Sequence, residues 1–139
     1  MTETSVANLE ALRAAEKEQA MRYRGLAVLA EERGDPATAQ RLHDLHADEQ
    51  HHLSRLTARL IELGITPADL PVSMGRNADH ELDGWEARAR QWEAEEVDRY
   101  EKLLTRGREL DPTTRALAES ILEVERHHAE HLSGKWTLA

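Results

Sequence analysis

Cysteine is absent from the 139-residue sequence, which excludes disulfides, iron–sulfur clusters, zinc knuckles and a cysteine-ligated rubredoxin-type module. Phenylalanine is absent as well, and aromatic residues make up only 4%. Ala, Leu, Glu and Arg dominate instead, the palette of straight-chain helix formers rather than of sheet, so the expected fold class is all-α. No apolar run reaches membrane length, and the opening MTETSVANLE is polar and acidic, unlike a signal or transit peptide. No membrane partner and a cytoplasmic location are therefore expected. Positive charge is also short. The net charge is -9 at pH 7 with no basic stripe, which argues against a nucleic-acid partner and favours attraction of metal cations. The length suits a single domain over residues 1–139.

The few glycines and prolines divide the chain into four helices. Helix 1 is expected from near Ser5, with Thr4 or Ser5 as N-cap, to Gly34, which suits a left-handed C-terminal position. Asp35-Pro36 places a capping carboxylate before a proline at the first helical position, and opens a helix running to Gly64. Residues 65–79, with Pro67, Pro71 and Gly75, lack helical periodicity. Helix 3 follows from about His80 to Arg108, and Asp111-Pro112 opens helix 4, which extends to about Gly134. Helix 2 would be about 42 Å long at 1.5 Å per residue. The 65–79 connection can reach about 50 Å when extended, enough to return along the bundle and start helix 3 parallel to helix 2. The expected architecture is a ferritin-like four-helix bundle of two αα-hairpins joined by one long crossover.

The second half of the chain repeats the first. Glu16 and Tyr23 match Glu93 and Tyr100, while Asp35-Pro36, Thr38, Glu49 and His51-His52 match Asp111-Pro112, Thr114, Glu125 and His127-His128. A site with two-fold pseudo-symmetry would follow.

Each helix also carries a seam of three- and four-residue steps, the stripe that faces a bundle core. The seams read Leu9, Leu12, Glu16, Gln19, Tyr23, Leu26, Ala30; then Leu42, Leu45, Glu49, His52, Leu56, Leu60. The second hairpin gives Leu82, Trp85, Ala89, Glu93, Glu96, Tyr100, Leu103, then Ala118, Ile121, Glu125, His128, Leu132. All four are apolar at the ends and polar in the middle. An inward glutamate must leave water, which costs several kcal/mol for an uncompensated charge, and no Lys or Arg stands mid-seam to neutralise it. Five carboxylates and two imidazoles at one depth call for bound cations.

Carboxylate and imidazole ligands without thiolate suit iron or manganese at a two-metal centre, and zinc can occupy such sites adventitiously. Glu16 and Glu93 would each supply one carboxylate, and Glu49-x-x-His52 and Glu125-x-x-His128 the paired motifs. Glu three before His is expected about once by chance in this composition, so the motifs gain meaning only from their inward, mid-helix and repeat-matched placement. The competing reading is a non-enzymatic bundle whose polar layer sets helix pairing. Tyr23 and Tyr100 are either core aromatics or hydroxyls that orient the carboxylates. His46 shares the face of Glu49, but its repeat counterpart is Leu122. His43, His51, His80, His127 and His131 fall off the seam and read as solvated.

These residues, in the order Glu16, Glu49-x-x-His52, Glu93-x-x-Glu96, Glu125-x-x-His128, make the chain resemble the rubrerythrin family of the ferritin-like superfamily, from Leu9 to about Leu132. The resemblance implies that Glu49 and Glu125 bridge two irons and that Glu16 and Glu93 are terminal or chelating. It also implies that His128 binds one iron while His52 and Glu96 share the other as it moves on redox change. The implied activity is reduction of hydrogen peroxide by a diferrous centre, with oxygen as the alternative oxidant. Without the cysteine-ligated domain, an erythrin-type member needs an external electron donor such as a rubredoxin. A homodimer is implied too. The alternative is a ferritin-type ferroxidase: bacterioferritins share the six residues without Glu96, but Gln50 stands where they place a haem-binding methionine. A storage cage is not expected, since no fifth helix follows Trp136.

Overall fold

The computed structural model describes residues 3–70, 81–106 and 110–134. Four helices occupy them, α1 (Glu3–Arg33), α2 (Pro36–Glu62), α3 (Trp85–Thr105) and α4 (Pro112–His131), with no strand among the described residues. The all-α four-helix bundle expected from composition is the fold observed.

The α1–α2 turn forms as the Gly34-Asp35-Pro36 signal predicts. Gly34 adopts φ 77, the region where a side chain would be strained, and this lets the Asp35 N–H return to the Ala30 carbonyl at 2.9 Å. Asp35 then accepts from the Thr38 N–H at 3.1 Å. Asp111 repeats the cap on α4, accepting from the Thr114 N–H at 2.8 Å, and is tied to the previous hairpin by Arg59 at 2.9 Å.

Two apolar clusters fix the directions of the helices. One joins Leu26 and Ala30 near the end of α1 to Leu42 and Leu45 near the start of α2, Trp85 and Ala89 at the start of α3, and Leu132 just past α4. The other joins Leu9 and Leu12 of α1 to Leu56 and Leu60 of α2, Tyr100 and Leu103 of α3, and Ala118 and Ile121 of α4. Helix α3 therefore runs parallel to α2, and the connection between them returns the length of the bundle, the single-crossover order of ferritin-like folds. Residues 71–79 of the expected 65–79 crossover lie outside the described residues. Its first part is held on α1, where Arg13 donates to the Ala68 carbonyl at 3.2 Å and Lys17 to the Leu70 carbonyl at 3.0 Å.

Four helix ends differ from expectation. Helix α1 already includes Glu3, so Thr4 and Ser5 lie inside the first turn and cannot be its N-cap; the residue before Glu3 lies outside the described residues. Helix α3 begins at Trp85 rather than near His80, itself outside the described residues. The Gly84 backbone, at φ 77, breaks the helical path there. The seam rhythm runs on past this point because Leu82 and Trp85 both pack into the core. Helix α3 ends at Thr105 rather than at Arg108, which itself lies outside the described residues. Helix α4 stops at His131 rather than near Gly134, and Leu132 after it is left-handed, at φ 47. Burial of the Leu132 side chain holds it in a conformation that non-glycine residues rarely adopt. Gly134 answers a different need: a Cβ there would lie 2.7 Å from the Asp44 Cβ.

Candidate metal centre

Between the two apolar clusters lies the polar layer that the seams predict. Glu16 comes from α1, Glu49 and His52 from α2, Glu93 from α3, and Glu125 and His128 from α4. None of the six is more than 1% exposed. They form two overlapping groups, Glu16, Glu49, His52 and Glu125 on one side and Glu49, Glu93, Glu125 and His128 on the other, with the ligand atoms of each group within 4.8 Å of one another. Either group could hold a metal ion, and Glu49 and Glu125 belong to both.

Both histidines turn Nδ1 inward. His52 Nδ1 lies 3.1 Å from Glu125 and 3.3 Å from Glu16, and His128 Nδ1 lies 3.2 Å from Glu49 and 3.4 Å from Glu93. The imidazole rings are near-parallel at 6.5 Å between centroids. Around this core the hydroxyls cross between hairpins: Tyr23 of α1 donates to Glu93 of α3, and Tyr100 of α3 donates to Glu16 of α1 at 2.9 Å. Gln19 adds an amide N–H to Glu93 at 3.2 Å.

These donors leave much unsatisfied. Both oxygens of Glu49 and of Glu125, Glu93 Oε2 and His128 Nδ1 are buried without a hydrogen-bond partner. Among the described residues, none of the four glutamates pairs with Lys or Arg; their charged neighbours are the two histidines. An orphaned buried polar atom costs about 1–3 kcal/mol, and more when charged, so a cluster of them on one interior point needs a cation or shared protons. Burial, and then the neighbouring carboxylates, push Glu49 and Glu125 well above the usual carboxylate range. Burial acts the same way on Glu93, but His128 close by, with Glu125 and Tyr23, brings it down on balance. Burial works against a charged His128, yet Asp48, Glu93 and Glu125 outweigh it and push the imidazole up to about 10. Burial and the adjacent carboxylates raise Tyr23 and Tyr100 well above their ordinary value, so both hydroxyls keep their protons and act as donors.

Glu96 stands apart. It is buried on the seam, but it belongs to neither four-residue group, and one of its oxygens is taken by the Arg99 guanidinium. Burial and Glu16 raise it to about 8, with Arg99 and Arg22 opposing. No Lys or Arg stands mid-seam, yet Glu96 is paired all the same, because the long Arg99 side chain reaches it from an off-seam position. His46 also lies outside both groups, its Nδ1 set 2.8 Å from the Ala20 carbonyl, where it ties α2 to α1. Asp48 was not anticipated from the sequence: its Oδ2 lies 2.8 Å from His128 Nε2. Its repeat counterpart is Val124, so the symmetry that marks the candidate ligands hides it.

Fold and site together define a helical bundle with a buried carboxylate–imidazole centre able to hold metal. The chain matches no protein-family model and no curated protein.

Proposed function

We propose that this centre holds two iron ions and that the protein is a non-haem di-iron oxidoreductase that reduces hydrogen peroxide to water with electrons from an external donor. The observation that carries the reading is the sharing of Glu49 and Glu125 between two four-ligand groups whose buried oxygens are otherwise orphaned. Four carboxylates offset the charge of two divalent cations, and the ligand chemistry, oxygen and imidazole without thiolate, suits iron or manganese over soft-metal sites. Two ferrous ions would supply the two electrons that peroxide reduction needs. The chain's own contribution is positioning: Tyr100 and Tyr23 hold Glu16 and Glu93 in place, and the apolar clusters above and below keep bulk water from the layer.

A ferroxidase reading is favoured by one observation, the pairing of Glu96 with Arg99, which leaves the six-residue set without a seventh carboxylate. Anaerobic loading with ferrous iron followed by stopped-flow mixing with peroxide and, separately, with oxygen decides between them. The proposal expects about two irons per chain and faster oxidation by peroxide, slowed in Glu96→Ala at unchanged iron content. Faster oxidation by oxygen, together with unchanged peroxide kinetics in Glu96→Ala, selects the ferroxidase. Fewer than one iron per chain refutes both.

A further inference from the structure

The two halves of the centre are built unequally. His128 directs Nδ1 at the Glu49 and Glu93 carboxylates, and its far nitrogen, Nε2, meets Asp48 at 2.8 Å. An imidazole whose Nε2–H is held by a carboxylate presents its Nδ1 lone pair in one direction, because the hydrogen bond fixes both tautomer and ring plane. Where the repeat would place the equivalent of Asp48 stands Val124, an apolar side chain 5% exposed, which can offer His52 no such bond. The same bias appears at the terminal glutamates. Glu93 receives both the Tyr23 hydroxyl and the Gln19 amide. At the position matching Gln19 stands Glu96, which turns to Arg99 and has no N–H to give Glu16.

We propose that Asp48 is a positioning residue that makes the Glu49, Glu93, Glu125 and His128 group the tighter of two metal positions, so that the centre loads in order with the His128 side first. The inference rests on the two-metal reading above. The Asp48 side chain is 12% exposed, so its carboxylate stands at the rim of the layer and acts on the ion only through the imidazole. A ligand already held in its binding orientation loses less freedom when the ion arrives. Removing such an outer carboxylate lowers metal affinity about 10–100-fold.

Anaerobic titration of the full chain with Co²⁺, followed by its visible absorption, tests this. The wild type is expected to take up two Co²⁺ in two resolved steps. Asp48→Ala should weaken the first step about 10–100-fold and leave the second unchanged. Asp48→Asn, which keeps the shape and a neutral acceptor, should fall between and guards against a folding defect in the alanine variant. Proton NMR of the chain carrying one Co²⁺ gives a readout that a purely structural role would not move. The shifted ring N–H of the bound histidine should exchange slowly with solvent in the wild type and rapidly in Asp48→Ala. Equal weakening of both steps, or unchanged N–H exchange, overturns the positioning role while two-metal binding stands. A wild-type chain that binds less than one Co²⁺ overturns the metal centre and this inference with it.

Discussion

At the scale of single residues, the buried centre of the metal-free protein carries a cost in stability. A carboxylate placed in a core without a cation destabilises the fold, and removing such a charge can stabilise it. Glu49 is the clearest case, since it is fully buried and neither of its oxygens has a hydrogen-bond partner. Glu49→Gln should therefore stabilise the metal-free protein by about 1–3 kcal/mol while abolishing the further stabilisation that added metal gives the wild type. Chemical denaturation with and without Fe²⁺ measures both, and a metal-free variant less stable than wild type would contradict the account. The six residues of the candidate centre were legible because each lies inward, mid-helix and at a repeat-matched position. Asp48 was not, since a residue that acts from off the seam and has an apolar repeat partner leaves no periodic trace. The crossing tyrosines were half legible. Spacing puts Tyr23 two turns, about 10 Å, from Glu16 along one helix, and only packing shows that its hydroxyl serves Glu93 of the neighbouring helix instead.

At the scale of elements, glycines that look alike in the sequence do opposite work. Gly25 sits within α1, and a Cβ there meets nothing within 4 Å, so it costs helix stability with no structural return. Gly25→Ala should stabilise by about 0.5–1 kcal/mol. Gly134 lies past α4, where an added Cβ would stand 2.7 Å from the Asp44 Cβ and 3.1 Å from the Asp44 carbonyl oxygen; backbone there cannot yield as a flexible side-chain tip would. Gly134→Ala should destabilise by about 1–3 kcal/mol, the usual range for overpacking. Urea unfolding of the two variants side by side checks the contrast, and loss of stability in both, or gain in both, would break it. The helix starts opened by Asp-Pro were readable because cap and proline act locally. The start of α3 was not, because Leu82 keeps the apolar rhythm going through a turn that the Gly84 backbone makes.

At the scale of the molecule, the repeated hairpin and the crossover bring four acidic side chains to one depth, and the whole protein's response to pH follows from that. Without metal, Glu49 and Glu125 stand above the ordinary carboxylate range, Glu96 at about 8 and His128 at about 10. Each of these groups holds in the folded protein a proton that the unfolded chain would release. Their stabilising contribution is therefore full below the unfolded pKa and is lost as pH rises through the folded one. For the glutamates that window opens at the ordinary value of 4.5 and for Glu96 closes near 8; for His128 it runs from 6.5 to about 10. Glu93, lowered in the fold, has the opposite slope, one group against four. The capping carboxylates Asp35 and Asp111 are lowered from 3.8, so their contribution is lost only in stronger acid. The metal-free protein should accordingly unfold at a higher temperature near about pH 5 than near about pH 8. Bound metal reverses the slope, because its ligands must be deprotonated and affinity rises with pH; an ion present at 100 times its Kd adds about 2.7 kcal/mol. Thermal unfolding across this range, with chelator and then with Fe²⁺ under anaerobic conditions, should give two curves that diverge as pH rises. If the chelated protein instead gained stability steadily from pH 5 to pH 8, the buried carboxylates would have to be satisfied by something other than protons, and the electrostatic basis for a cation in this layer would fall.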